Sequence, residues 1–167
     1  RMPLICTISP KEPCFIIKIF DISYLNLVNQ FNIEMIYKSK KILSEISAGE
    51  LLDKISILEI KLEKIRDKNS QIEIKKEYKI LKEIQNSSIK LEDKIKELFD
   101  SIKEVNHKLW NVEDKLRICE KNKDFGKNFI ELAREVYFNN DKRSKIKSEI
   151  NKILGSNIKE VKEYAKY

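Results

Sequence analysis

Two groups of residues in this sequence have the types and spacing to do chemistry. Asn106, Trp110, Glu113 and Arg117 follow one another at four-, three- and four-residue steps, which lays them along one line of an α-helix; Trp110 is the only tryptophan of the chain. Farther on, Glu131, Arg134, Asn140, Asp141 and Arg143 gather on a second segment. There the apolar register set by Phe129, Ala133 and Val136 runs forward onto Asn140, Arg143 and Lys147, polar residues at positions where the pattern expects apolar ones, and such breaks are where sites are often found. If the two segments face each other, guanidinium forks stand beside an aromatic wall, an arrangement suited to a phosphate, a carboxylate or a sugar-phosphate. Packing offers a competing account. Glu113 and Arg117 form an ordinary i, i+4 ion pair, Glu131 and Arg134 another at i, i+3, and a tryptophan at the edge of an apolar stripe is commonly a packing residue.

Other chemistries find little support. The single histidine, His107, rules out the usual multi-histidine metal sites, so neither metal nor cofactor is expected. Neither Cys119 nor any serine stands in an interpretable relation to His107, so no nucleophilic centre is legible. Asp124-Phe125-Gly126 repeats the letters of the kinase magnesium motif, but no glycine-rich loop or catalytic loop accompanies it. Glu59 and Glu63, or Glu50 and Asp53, lack the second acidic cluster that helical nucleoside-triphosphate hydrolases use. Arg66, Arg117, Arg134 and Arg143 are compatible with a chorismate-mutase-like helical site without being specific for one. The residues point away from an enzyme.

The elements that must position these residues are helices. The longest apolar stripe runs Leu91, Ile95, Leu98, Ile102, Val105, Leu109, Val112, Leu116 and Cys119, predicting a central helix of about 30 residues and about 45 Å. Before it, Ser47-Ala48-Gly49-Glu50 has the form of a capping box opening a helix with Leu51, Ile55, Leu58, Leu62 and Ile65 on one face. A second helix is expected over 71–84, with a break at Gln85-Asn86-Ser87-Ser88, although the heptad phase survives across it and one helix from Gln71 to Lys121 is an alternative. Asp124 is placed as the cap of the following helix, which kinks or restarts near Asn139-Asn140-Asp141 and stops at Gly155. A short terminal helix bearing Ile158, Val161 and Tyr164 would follow. Residues 1–40 differ in texture: they hold all three prolines, a possible strand at Phe15–Phe20 and a possible short helix at Tyr24–Ile36. Met35 reads as a candidate start, leaving an upstream fragment, a linker or translated non-coding sequence as the options for what precedes it.

Composition bounds the partners. The chain has 167 residues, 37% charged and 41% hydrophobic, with three Gly and three Pro, which fits a single helix-rich domain with a real core. Its net charge of +7 is spread, Lys+Arg 34 interleaved with Asp+Glu 27, rather than gathered into the basic face that nucleic acid or a membrane surface requires. Cys6, Cys14 and Cys119 form no CxxC pair and suit a reducing cytoplasm. No apolar run reaches the roughly 20 residues of a membrane span.

The run Ser47–Leu62 (SAGELLDKISILEIKL) resembles the opening of a short, functionally uncharacterised bacterial helical domain family. The likeness continues at Val105-Asn106, Leu109-Trp110, Val112-Glu113-Asp114 and Arg117, then at Asp124-Phe125-Gly126, Phe129–Arg134, Val136-Tyr137, Asn140-Asp141 and Arg143. It covers about residues 41–167, setting a helical domain there apart from residues 1–40. The resemblance implies a stand-alone protein or an appendage of glycosyltransferase-bearing proteins, near cell-surface glycan synthesis, and implies no reaction. The expected architecture is all-α: an antiparallel, coiled-coil-like bundle with a long central helix. A dimer, or a partner helical protein, is expected because so long a stripe is hard to cover with shorter neighbours. An interaction or oligomerisation module is the first reading of function. A small-ligand-binding or catalytic helical domain for an anionic sugar or nucleotide, built on Trp110, Glu113, Arg117, Glu131, Arg134, Asn140 and Arg143, is the second.

Overall fold

A computed structural model describes residues 42–163 of the chain, which divides into two compact units, Arg1–Leu43 and Ser44–Tyr167. The second unit is an all-α bundle of four helices: α1 (Ala48–Lys64), α2 (Lys68–Ser88), α3 (Asp93–Asn122) and α4 (Lys127–Ile153). The possible strand at 15–20 and helix at 24–36 lie outside the described residues.

Ser47 opens α1 as expected, its hydroxyl accepting from the Glu50 amide at 3.2 Å. Only half of the capping box forms, because the Glu50 side chain turns instead to Lys147 on α4. Leu51, Leu52, Asp53, Ile55, Ser56, Leu58 and Ile60 of α1 are all buried. Such a set spans too many directions for one stripe, so α1 must be surrounded. It is: α1 packs on α2, α3 and α4, α3 also packs on α4, and α2 packs on α1 alone. The hub is therefore α1, and the long α3 that dominates the sequence is one of its three neighbours.

Cross-helix bonds fix the directions. Gly49 meets Asn151 and Asp53 meets Arg143, so α1 and α4 run antiparallel. Asp53 also meets Asn106 and Lys64 meets Asn111, so α1 and α3 run parallel. Tyr78 donates to Glu59 and Gln71 to the Leu62 carbonyl, setting α2 antiparallel to α1. One core joins Leu52 to Ile95, Leu98, Ile102, Val105 and Leu109 of α3 and to Ile146 and Ile150 of α4. A smaller one at the far end joins Val112, Cys119 and Leu132. The α3 stripe is thus covered by α1 and α4 of the same chain, and its length gives no separate reason for a dimer.

Several boundaries differ from the sequence expectation. α3 spans 30 residues as expected, but α2 continues through Gln85-Asn86-Ser87-Ser88 and the break falls at 89–92. The Ser87 hydroxyl bonds back to the Ile84 carbonyl at 3.0 Å, which lets a turn-former sit inside the last helical turn. Asp67 rather than a frayed end caps α2, accepting from Ser70. Asp124 is not the N-cap of α4; that position is Gly126, whose amide donates to the Asp124 carboxylate at 3.1 Å. α4 passes through Asn139-Asn140-Asp141 without restarting. It ends at Leu154, and Gly155 adopts the left-handed φ of 64° that makes it a stop. No terminal helix forms over 157–163: the segment is held by side chains instead, Asn157 to Glu45 and Glu160 to Lys147. Among the described residues no helix is long and apolar enough to cross a membrane.

Gly49 marks the closest approach of α1 to α4. A Cβ there would lie 2.5 Å from the Lys147 carbonyl oxygen and 2.9 Å from Asn151 Oδ1. Helix propensity alone favours Gly→Ala by up to about 1 kcal/mol. The backbone clash dominates, and Gly49→Ala is expected to destabilise the domain by about 1–3 kcal/mol in urea unfolding; a gain in stability would show that the two helices are not held this close.

Candidate functional site

Asp53 is the centre of the polar interior. It is 1% exposed on a helix otherwise lined with leucine and isoleucine, and two neighbours compensate its carboxylate. Arg143 on α4 bonds it in fork geometry, Nε to Oδ1 at 2.8 Å and Nη2 to Oδ2. Asn106 on α3 donates to the same Oδ1 at 2.8 Å and to the Ser56 hydroxyl at 2.8 Å. Ser56 in turn donates to the Asp53 carbonyl at 2.7 Å. One buried carboxylate thereby ties three helices together. The hydrogen bonds to Asp53, working against burial, hold the Arg143 guanidinium above its ordinary range.

A second polar cluster locks the start of α1 to the end of α4. Lys147, 7% exposed, reaches Glu50 and Glu160, the latter at 2.9 Å. Burial pulls the Lys147 ammonium down, but the bonds to Glu50 and Glu160 outweigh it and leave the group raised. The bond to Lys147 holds the Glu160 carboxyl below its ordinary value. Asn151 Oδ1 takes the Gly49 amide at 2.7 Å, and Ser156 takes the Ala48 amide at 3.1 Å, so the first amides of α1 find side-chain acceptors.

Above the brace, the surface opens into two hollows that share Ile57 and Arg143. One, of about 200 Å³, is lined by Ile57, Ile60, Asn106, Leu109, Trp110, Glu113 and Arg143. The other, of about 280 Å³, is lined by Glu50, Asp53, Lys54, Ile57, Leu58, Lys61, Glu77 and Arg143. The half-buried indole of Trp110 makes no hydrogen bond among the described residues, and Lys61 makes no ion pair among them, whereas Lys54 is paired with Glu77 at 2.7 Å.

The fold brings Trp110, Glu113 and Arg143 of the sequence-predicted set to one hollow. It distributes the others elsewhere. Arg117 is exposed and pairs with Glu113 at 3.2 Å and Asp114 at 3.5 Å. Glu131 is exposed beside Lys127, and Arg134 lies over the Phe138 ring, 5.9 Å from its centre. Asn140 is half-buried and lines neither hollow. Ser56 and Lys61 carry no signal in the sequence, and Asp53, weighed there only as an acidic pair with Glu50, is an acidic residue inside a leucine-rich helix, which is itself a signal. Among the described residues no cluster of three or more His, Cys, Asp or Glu gathers in a metal-binding group.

The model of a family of unknown function, DUF6165, matches residues 42–167. The chain belongs to this family. The match takes in all four helices and both hollows. No curated protein and no solved structure matches the chain.

Truncating Asp53 leaves the Arg143 guanidinium buried without its carboxylate and takes one of the two acceptors of the Asn106 amide, so Asp53→Ala is expected to cost about 3–5 kcal/mol in urea unfolding. The double variant Asp53→Ala with Arg143→Ala should lose less than the sum of the two single losses; additivity would show that the pair is not coupled. The Glu160 tie has a pH signature. With its folded pKa below the ordinary 4.5, its contribution is complete above that value and is lost as pH falls through the lower, folded one. Glu160→Gln should therefore be less stable than the parent at neutral pH and converge with it in acid; parallel stability curves down to the acid limit would contradict the tie.

Proposed function

We propose that this domain is a recognition module whose binding surface is the paired hollow over Arg143, and that it holds a sugar or sugar-phosphate group. The observation that carries this reading is the meeting of an unbonded indole, a rigidly braced guanidinium and an unpaired lysine around one apolar floor, Ile57. Together the hollows fall in the range of about 300–1,000 Å³ common to small-molecule sites. A pyranose laid on the indole face would find the Glu113 carboxylate as acceptor and Arg143 and Asn106 as neighbouring polar groups. An attached phosphate would lie toward Lys61.

The charge balance refines the ligand class. Arg143 is already neutralised by Asp53 and Lys54 by Glu77, and Glu113 and Glu50 add negative charge at the rims. A hydroxyl-rich ring with a single phosphate-bearing end suits this surface better than a multiply charged anion. The family resemblance supplies the context: a cytoplasmic module working beside a glycosyltransferase in the synthesis of cell-surface glycans.

Because Trp110 is the only tryptophan, its fluorescence reports on the hollow directly. Titration with glucose 1-phosphate is expected to shift or quench the emission saturably, with inorganic phosphate giving a weaker response. Lys61→Ala should weaken the binding by about tenfold, the magnitude of one charge-assisted contact. If neither fluorescence nor the thermal midpoint responds to a panel of nucleotide-sugars and sugar phosphates, the proposal fails.

A further inference from the structure

Along the chain lysines and acids alternate, yet the fold sorts them on one helix. α2 touches α1 and no other helix, which leaves its outer side free. Lys75, Lys79 and Lys82 follow one another on it at steps of four and three, and on the neighbouring line Lys68, Ile72, Lys76 and Ile80 follow at steps of four. Lys82 is half-buried and the other four lysines are exposed. None of the five makes an ion pair or a side-chain hydrogen bond among the described residues. Two acids of the helix lie on another line: Glu77 turns to Lys54 of α1 at 2.7 Å, and Glu73 stands one turn before it. Glu83 alone falls within the lysine face.

The basic face that the sequence pattern lacks is therefore present in the structure, about 21 Å long from Lys68 to Lys82 at 1.5 Å per residue. It is complementary to an anionic surface, and its apolar members decide which kind. Ile72 is 62% exposed among the lysines and Ile80 is 47% exposed at their edge. Against a nucleic-acid backbone both would stay in water. Tyr78, the aromatic residue of α2, sends its hydroxyl inward to Glu59 at 3.1 Å, so this face offers no ring to a base. At a bilayer, isoleucine sinks to the boundary of headgroups and acyl chains while the long lysine stems reach back to the phosphates.

We infer that the outer face of α2 docks on the headgroup layer of an anionic membrane, with Lys68, Lys75, Lys76, Lys79 and Lys82 on the lipid phosphates and Ile72 inserted between them. The helix lies in the plane of the surface. Docking breaks no contact of the fold: no lysine leaves a partner, and Glu77 keeps Lys54. It is independent of what the paired hollow holds.

Flotation of the full chain with lipid vesicles tests this. Binding is expected to vesicles of equal parts phosphatidylglycerol and phosphatidylcholine, not to phosphatidylcholine alone, and should weaken as salt screens the exposed charges. Each lysine at such a surface strengthens binding about fivefold, so Lys75→Gln with Lys79→Gln should lower it by about twenty-five-fold with helical circular dichroism retained. Lys115→Gln with Lys121→Gln removes the same charge from α3 and should change binding by less than about threefold. Ile72→Gln should weaken vesicle binding about fivefold through its lost apolar contact. If the first double variant loses its helical signal, Lys68→Gln with Lys76→Gln on the neighbouring line decides. A parent chain that ignores anionic vesicles at low salt, that binds neutral ones equally, or that prefers duplex DNA or RNA to the vesicles overturns the inference, and so does an α3 pair that matters as much as the α2 pair.

Discussion

The carboxylate of Asp53 is the constraint on which this fold depends. Apolar stripes at heptad spacing can slide against one another by a turn with little loss, because leucine meets isoleucine in either register. A buried carboxylate cannot. It is tolerated only where Arg143 on α4 and Asn106 on α3 arrive at its level together, so one residue sets the relative height of three helices. Replacing such a group with a well-packed apolar residue is often neutral for stability elsewhere, and its usefulness lies in excluding the wrong arrangements. The Gly49 contact has the same effect by a different means: with no Cβ, α1 and α4 close to backbone distance, and the Asn151 and Ser156 side chains take up the amides that the helix start leaves over.

The same brace gives the surface above it its character. A guanidinium on a free surface arm is mobile and its ordering opposes binding. Arg143 is fixed by two bonds to Asp53 and stands half-buried between the two hollows, so its position is set before any ligand arrives. Its charge is also largely cancelled there. An anion in this groove would gain little net attraction from Arg143, while a polar ring that packs on Trp110 would gain apolar contact and directional hydrogen bonds without displacing the Asp53 pair.

The sequence made the helices legible because stripes of Leu, Ile and Val at steps of three and four have one simple explanation. Ser47 and Gly155 were readable for the same local reason: capping and left-handed turn chemistry depend on a few adjacent residues. The hub was not readable. α3 has the cleanest stripe because it buries one face, whereas α1 buries nearly all of its faces and so loses the periodicity that draws attention. Arg143 and Lys147 were visible as polar letters at apolar positions, and both do point inward. Their partners, Asp53, Glu50 and Glu160, lie 90, 97 and 13 positions away in the chain, and no local pattern pairs residues across such separations. The break between α2 and α3 moved by four residues because a serine hydroxyl can satisfy the backbone of a helical turn as well as it can interrupt one.

α2 stands apart from all of this. None of the residues in the Asp53 network, the Lys147 cluster, the core joining α1, α3 and α4 or the smaller core between α3 and α4 belongs to it. Its only share in the paired hollow is Glu77, which holds Lys54 at the rim beside Lys61. The Trp110 side of the groove is built wholly from α1, α3 and α4. Glu77 therefore acts on the two halves of the groove unequally: its carboxylate holds Lys54 and so tempers the positive charge on the Lys61 side, and it has no part in the aromatic wall.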